Sequence, residues 1–509
     1  MLKKRMRKFV AVALCCILST GWTLSGTNQV SAAASVAKGA DIGWLSQLEA
    51  NGYTWKDQNG VQKDALQILK DNGVDSVRLR VFVNPPSSFT YKGSDGVTSY
   101  LGFNDKAGVV AMARRADALG LRIMIDFHYS DVWADPGKQI KPASWEGHSF
   151  NQLLTDVYDH TYDVMNTLKS YNIYPEWVQV GNEINYGMVW PEGKDTNFGQ
   201  LTQLINSGYD AVKTVSPSSK VVVHLAYGQQ NAHFRTWFDK FQNNGGKWDV
   251  IGISGYMAPG TNYMPRTEEF AYNLNDMAAR YNKEVMVSEF GGRYDDPENT
   301  YSALVSELDA IKSVPNGKGI GVFYWEPESA PGALPDGYPL GAAKVVGTKQ
   351  LQFTKAISAY NSNSPFDTSK KFKIVNRNSG KALNITGGST QDGAAVQQWT
   401  YSSWNSQKFY LLDSGNGNYR IQNVNSMKLL DIENSSLNDG AKNIQWSNNW
   451  GLNQLWKLTS LSGGYVQIQN GNSGKLLDIN GASTADGAST IQWFNNGGSN
   501  QQWAVSQTN

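Results

Sequence analysis

A repeat governs the last third of the chain. Asn384, Asp431 and Asp478 stand 47 residues apart, as do Trp399, Trp446 and Trp493, and Phe409, Trp456 and Trp503. The surrounding words agree. Lys381-Ala382-Leu383-Asn384-Ile385 returns as Lys428-Leu429-Leu430-Asp431-Ile432 and again as Lys475-Leu476-Leu477-Asp478-Ile479, and an Asp-Gly-Ala triplet recurs at Asp392, Asp439 and Asp486. One offset kept at so many positions means three copies of one supersecondary unit. Three copies are too few for a propeller of about 4–8 blades, and text rich in Gly, Asn and Ser disfavours helical repeats. Three sets of short strands closing on one another give an all-β β-trefoil over 370–509.

Upstream, from 35 to 361, the texture is different. Apolar runs at Lys38–Trp44, Ser76–Val83, Leu121–His128, Glu176–Glu183, Lys220–Ala226, Asp249–Tyr256, Glu284–Phe290 and Gly319–Pro327 alternate with stretches of helical period. Helices are expected over Ala107–Leu119, Phe150–Tyr171, Asn197–Val215, Ala232–Asn243, Thr267–Tyr281, Tyr301–Ile311 and Gln350–Tyr360. Near-continuous apolar runs suit strands buried on both faces, and eight of them alternating with helices predict an α/β fold, the (β/α)8 TIM barrel. No G-x-G-x-x-G follows the first run, which disfavours a doubly wound open sheet. Ser362–Ser369 reads as a linker.

The first 34 residues read as an address. Lys3, Lys4, Arg5, Arg7 and Lys8 precede an apolar stretch from Phe9 to Leu18, and Ala32–Ala34 close it with small residues. That is a secretory signal peptide, shorter in its apolar run than the ~20 residues of a membrane span. Its removal takes the two cysteines, Cys15 and Cys16, and leaves 40 basic residues against 44 acidic. Such a balance carries no basic footprint for nucleic acid, and a secreted chain without thiols has neither disulfides nor a Cys-based zinc site. A polysaccharide partner, no nucleic acid, no membrane and a monomeric state are expected.

The residues suited to chemistry close the barrel strands, where such barrels carry their sites. The fourth run ends Gly181-Asn182-Glu183 and the seventh ends Ser288-Glu289. A carboxylate closing an apolar strand is costly to bury, and two facing across a barrel mouth suit glycoside hydrolysis. Of Arg78 and Arg80, which alternate on the second run, Arg80 lies nearer the mouth and is expected to orient a carboxylate. His128 and Trp133 follow the third run as a sugar subsite, and Trp325 offers a flat platform. A zinc reading of His128 with Asp126 and Asp131 is poor, because the other histidines lack ligand spacing; no metal is assigned.

The chain resembles glycoside hydrolase family 53, the endo-β-1,4-galactanases, in Lys38-Gly39-Ala40-Asp41, Val77-Arg78-Leu79-Arg80-Val81, Asp126 to Pro136, Gln179-Val180-Gly181-Asn182-Glu183-Ile184-Asn185 and Tyr324-Trp325-Glu326-Pro327. The resemblance implies a retaining enzyme with Glu183 as acid/base and Glu289 as nucleophile. It implies that Asn182 bonds the sugar, that Arg80, His128 and Tyr256 surround the nucleophile, and that Trp325 lies below the sugar. No cofactor is implied for the chemistry; a structural calcium occurs in some relatives, and no ligands for one are assignable here. The C-terminal region is similar to ricin-type lectins and carbohydrate-binding module family 13, through Gln454-Leu455-Trp456 and Gln501-Gln502-Trp503. That similarity implies sugar pockets at Asp431, Trp446 and Asn453 and at Asp478, Trp493 and Asn500, while the Gln-x-Trp residues build the core. The expected function is secreted, endo-acting hydrolysis of galactan or arabinogalactan with an appended binding domain. Two alternatives stay open: the same mechanism on another β-linked polysaccharide, suggested by the loops 255–260 and 291–294, and a non-catalytic binding protein.

Overall fold

The computed structural model describes residues 35–85, 102–257, 262–333 and 338–509, and the backbone of 90–92 and 98–100. The expected signal peptide lies outside the described residues, as do Ala258 to Gly260 of the loop after the sixth run.

Eight parallel strands close into a barrel: β1 (Ala37–Asp41), β2 (Ser76–Val81), β3 (Arg122–Phe127), β4 (Trp177–Val180), β5 (Lys220–Leu225), β6 (Val250–Tyr256), β7 (Glu284–Gly291) and β8 (Gly319–Trp325). The two-residue period of each strand divides its side chains. Outward-facing Val77, Ile123, Val178, Val221, Ile251, Val285 and Val322 join the large core beneath the helices. Inward, a small apolar plug of Ala37, Met124, Trp177, Val222, Val250, Met286 and Phe323 fills the floor. Gly39 makes room for it, since a Cβ there would lie 2.1 Å from the Phe323 ring. One step nearer the mouth the inward positions turn polar, with Asp41, Arg78, Asp126, Gln179, His224 and Glu289 all buried. Apolar runs thus carry a charged layer at their C-terminal ends, where the burial cost must be met by partners.

The expected helices form, with one exception, and two further helices, Leu45–Ala50 and Ala65–Asp71, lie where none is expected. The helix expected at Gln350–Tyr360 is instead a strand, Gln350–Phe353, followed by a 3₁₀ segment, Lys355–Asn361. Its residues alternate half-buried and buried with period two, and it pairs with 343–347 on one side and 54–56 on the other. Thr354 then caps the turn through Ala356 N.

The trefoil follows as β9 (Lys371–Asn376), β10 (Ala382–Ile385), β11 (Val396–Trp399), β12 (Phe409–Asp413), β13 (Asn418–Asn423), β14 (Leu429–Ile432), β15 (Asn443–Trp446), β16 (Trp456–Ser460), β17 (Val466–Asn470), β18 (Leu476–Ile479), β19 (Thr490–Trp493) and β20 (Trp503–Thr508). β9, β12, β13, β16, β17 and β20 pair in a closed antiparallel ring, and the other six form three hairpins. The Asp-Gly-Ala triplets latch the copies in a cycle. Asp392 of the first accepts from Ser447 N of the second at 2.6 Å, Asp439 of the second from Phe494 N of the third at 2.8 Å, and Asp486 of the third from Thr400 N of the first at 2.6 Å. Lys428, Lys475 and Lys381 bridge to the same three aspartates. Trp456 and Trp503 are fully buried and donate to Leu430 O and Leu477 O at 3.0 Å, so they build the core.

The segment 362–369 is packed. Thr368 and Ser369 are buried, Thr368 N and Oγ1 donate to Asp309, and Ser362 donates to Asp413. The helix Pro297–Lys312 has trefoil against it: Ser302 donates to Asp413 O at 2.6 Å. Tyr410, Leu412 and Leu429 belong to the same core cluster as the barrel.

Candidate active site

Two strand ends present the carboxyl pair. β4 stops at Val180, Gly181 turns with φ +83°, and Glu183 itself sits at φ +48°. A left-handed non-glycine residue costs about 1–3 kcal/mol and persists only where neighbours fix it. Here Gln139 Nε2 donates to Asn182 O at 2.8 Å and Ile184 N to His224 O at 3.1 Å. Across the mouth, the β6–β7 register slips between Ile253 and Ser254, so Ser254 pairs with Glu289 and Ser288 is skipped. Such a bulge re-aims the side chain beside it.

The two carboxyls have different surroundings. Glu289 accepts from Arg78 Nη1 at 2.8 Å and from Tyr256 Oη at 2.8 Å. Burial pushes its pKa up, and the Arg78 charge opposes the rise. Among the described residues no cation lies at bonding distance from Glu183; its Oε1 accepts from Ser254 Oγ at 2.6 Å. Burial, then the Glu289 charge, push Glu183 up to about 8.

Arg78, not Arg80, touches Glu289. The Arg78 guanidinium reaches Glu289, Asp41 (2.6 Å), Asp126 (2.9 Å) and Asn182 Oδ1 (2.9 Å). Arg80 is drawn sideways to Asp41 and Glu326 and lies 4.3 Å from the Trp133 ring centroid. Both arginines face inward, two residues apart. Which carboxylate captures each one, rather than nearness to the mouth, decides its place. Arg80 therefore braces the aromatic wall, where Trp325 stands 4.8 Å from Trp44 and 4.5 Å from Tyr338, edge to face. Gly43 permits this, because a Cβ there would lie 2.2 Å from the Arg80 Cζ.

The other expected residues gather in one cleft of about 320 Å³. His128, Trp133, Asn182, Glu183, Tyr256, Glu289 and Trp325 line it together with Trp44, Ala134, Asp135 and Tyr338. His128 spends both ring nitrogens inside the protein. Nδ1 accepts from Ala134 N and Nε2 meets Asp126 Oδ2, each at 3.1 Å, so both nitrogens already have partners within the protein. Asn182 gives one N–H to Ala134 O at 2.9 Å. Trp44, Asp135, Tyr338 and Arg78 were missed as site residues. The shared inward parity of Arg78 and Arg80 was the available signal for the last. Among the described residues no cluster of three or more His, Cys, Asp or Glu is arranged to hold a metal.

In the trefoil, Asp431 Oδ2 accepts from Asn453 Nδ2 (2.9 Å) and Gln454 Nε2 (2.8 Å). Asp478 Oδ2 accepts from Asn500 Nδ2 and Gln501 Nε2, both at 2.9 Å. Both donors converge on one oxygen in each case, which leaves Oδ1 for an outside donor. Trp446 is 42% exposed and Trp493 partly so. In the first copy Asn384 Oδ1 accepts from Ser406 Oγ at 3.0 Å, and Gln407 Nε2 donates to Thr400 O as Gln454 does to Ser447 O and Gln501 to Phe494 O.

The glycosyl hydrolase family 53 model matches residues 37–373, and a ricin-type β-trefoil lectin-like model matches 362–446 and 452–509. A probable arabinogalactan endo-β-1,4-galactanase A of Neosartorya fischeri is 35% identical over 321 residues, 58% of this chain and 85% of that protein. An arabinogalactan endo-β-1,4-galactanase of Humicola insolens is 34% identical over 311 residues, 57% of this chain and 89% of that one. The solved catalytic domain of an Ignisphaera aggregans family 53 protein superposes with TM-score 0.55 at 30% identity, covering 64% of this chain and 95% of that domain. A fungal β-1,4-galactanase structure gives TM-score 0.56 at 28% identity, covering 64% and 99%. With the closed barrel, the carboxyl pair at its mouth and a family match over well more than half its length, the chain belongs to glycosyl hydrolase family 53 and carries a ricin-type β-trefoil.

Proposed function

We propose that this protein is a secreted endo-hydrolase of β-1,4-linked galactan or arabinogalactan that works with retention through Glu183 and Glu289. The asymmetry of the pair carries the reading. Titratable neighbours whose surroundings push them apart mark an acid and a base. Glu289, bonded by Arg78 and Tyr256, is the carboxylate that attacks the anomeric carbon. Glu183, with a pKa near 8, keeps its proton at neutral pH and gives it to the departing glycosidic oxygen. The glycosyl-enzyme ester then breaks when Glu183, now a carboxylate, takes a proton from water. Trp325, Trp44 and Trp133 hold the sugar faces.

Asp431 with Trp446 and Asn453, and Asp478 with Trp493 and Asn500, hold polysaccharide on the trefoil. The leader directs export, with cleavage near Ala32–Ala34. The names of the relatives support galactan as substrate. Hydrolysis of purified β-1,4-galactan, followed by product chromatography and early proton NMR, tests the proposal. Short oligosaccharides released first as the β-anomer are expected. Activity confined to mannan, xylan or glucan overturns the substrate, and α-anomer first overturns retention.

A further inference from the structure

The first copy of the repeat departs from its sisters at four linked places. Asn384 stands where they have Asp431 and Asp478, and Ser402 where they have Asn449 and Asn496. Trp404 stands where they have Gly451 and Gly498, and Ser406 where they have Asn453 and Asn500. The backbone does not ask for the two glycines. Trp404, Gly451 and Gly498 share φ −67°, with ψ 148°, 156° and 150°. Side-chain room does ask for them. A Cβ on Gly451 would lie 2.1 Å from Asn453 Oδ1 and 2.8 Å from Asn449 Oδ1. One on Gly498 would lie 2.4 Å from Asn500 Oδ1 and 2.8 Å from Asn496 Oδ1. Such overlap must be relieved by removing the neighbours. In the first copy both asparagines are serines, and a tryptophan takes the space they free.

The matched changes build a pocket. Trp404 is 51% exposed, and with Trp399 it walls a cavity of about 640 Å³ that Asn384, Gln397, Ser406 and Asn425 also line. Every residue lining it is uncharged. That volume suits a small ligand, and two indole faces with a few amides suit a sugar. The polar centre is reversed as well. Asp431 and Asp478 each use one oxygen for the amides behind them and turn the other outward as an acceptor. Asn384 uses Oδ1 the same way, for Ser406 Oγ. Its other atom is therefore Nδ2, a donor, with no hydrogen-bond partner among the described residues, on a side chain that is 97% buried by residue. An unpartnered amide N–H at a cavity wall is completed by an acceptor from outside.

We propose that the first copy is a third sugar site of different chemistry: it takes a neutral sugar unit between Trp399 and Trp404 and binds one of its oxygens through Asn384 Nδ2. This rests on the trefoil being a polysaccharide-binding domain. A carboxylate site needs hydroxyl hydrogens on its ligand. An amide donor is satisfied equally by a hydroxyl oxygen or by the ether oxygen of a linkage. The first copy thus suits a sugar unit inside a chain, which the sister sites meet only through its free hydroxyls.

The test uses the full chain with Glu289→Gln and Trp325→Ala, so that the barrel neither consumes galactan nor holds it well. Binding isotherms on insoluble β-1,4-galactan are then compared. With Asp431→Asn and Asp478→Asn added, the first copy should sustain a measurable residual affinity. Adding Trp404→Gly, the residue its sisters carry at the same backbone angles, should lower that residual about tenfold, the order of one aromatic contact. Asn384→Asp in the same background should weaken it too, because the donor is lost. A residual that Trp404→Gly leaves in place overturns the site, and unchanged or tighter binding in Asn384→Asp overturns the donor. If the parent binds galactan and the Asp431→Asn, Asp478→Asn protein does not, the trefoil is a binding domain without a third site. If the parent itself does not bind, the reading of the trefoil fails and the third site with it.

Discussion

Both halves of the molecule bury a carboxylate at a proposed ligand site, and they hold it by different means. In the barrel, Glu289 faces a guanidinium that also serves Asp41 and Asp126. In the trefoil, Asp431 and Asp478 are held by the amides of Asn453 and Gln454 or Asn500 and Gln501. The trefoil is the more basic half, with 11 basic and 7 acidic residues over 370–509. Yet its repeat lysines, Lys381, Lys428 and Lys475, are tied to the latch aspartates. A site that must change charge during a reaction is built around a fixed cation. A site suited to accepting sugar hydroxyls is built from neutral donors that hold one oxygen and leave the other.

Removing the reacting groups should give the largest effect. Glu183→Gln should lower kcat on galactan by about 10²–10⁴-fold, and Glu289→Gln should abolish turnover, with polysaccharide binding unchanged. A fall in binding with either would mean that the halves are less separate than their chemistry suggests.

Arg78→Met comes next. It leaves Asp41, Asp126 and Glu289 without their shared cation, and breaking such buried pairing costs about 3–5 kcal/mol. Denaturant titration should show the loss. Stability within error of wild type would mean that the barrel site needs the cation no more than the trefoil does.

On the other side, Asp431→Asn with Asp478→Asn should cut insoluble-galactan binding at least tenfold while kcat on soluble oligosaccharide holds. Wild-type binding should also weaken as pH falls, beginning above the ordinary aspartate range. Burial raises both pKa values, so each carboxylate is lost earlier on acidification than a free one. A pH-independent affinity would remove these aspartates from binding. The smallest effect belongs to Tyr410→Phe, which drops the bond to Glu268 (2.9 Å). It should lower stability by about 0.5–1.5 kcal/mol in a single melting transition.

The strands, their order and the mouth of the barrel were legible because apolar runs and their spacing state them directly. The trefoil was legible because an exact period needs no propensity at all. The arginine was not. Period two places Arg78 and Arg80 on one face, but the choice between them depends on Asp41 and Glu326, which lie hundreds of residues apart in sequence. The 350–360 helix failed because four alternating residues carry period two too briefly to outvote the helical text after them.

The helix Pro297–Lys312 is buried along nearly all its faces, with trefoil strands where water would otherwise lie. The gene joins two parts that sequence comparison can draw separately, but their shared core gives this helix no bare side to expose. A protease or an engineer who cut at residue 362 would release no ready-made barrel. The cut would uncover an oily helix, and the remaining enzyme would need new polar residues there before it could stand alone in solution.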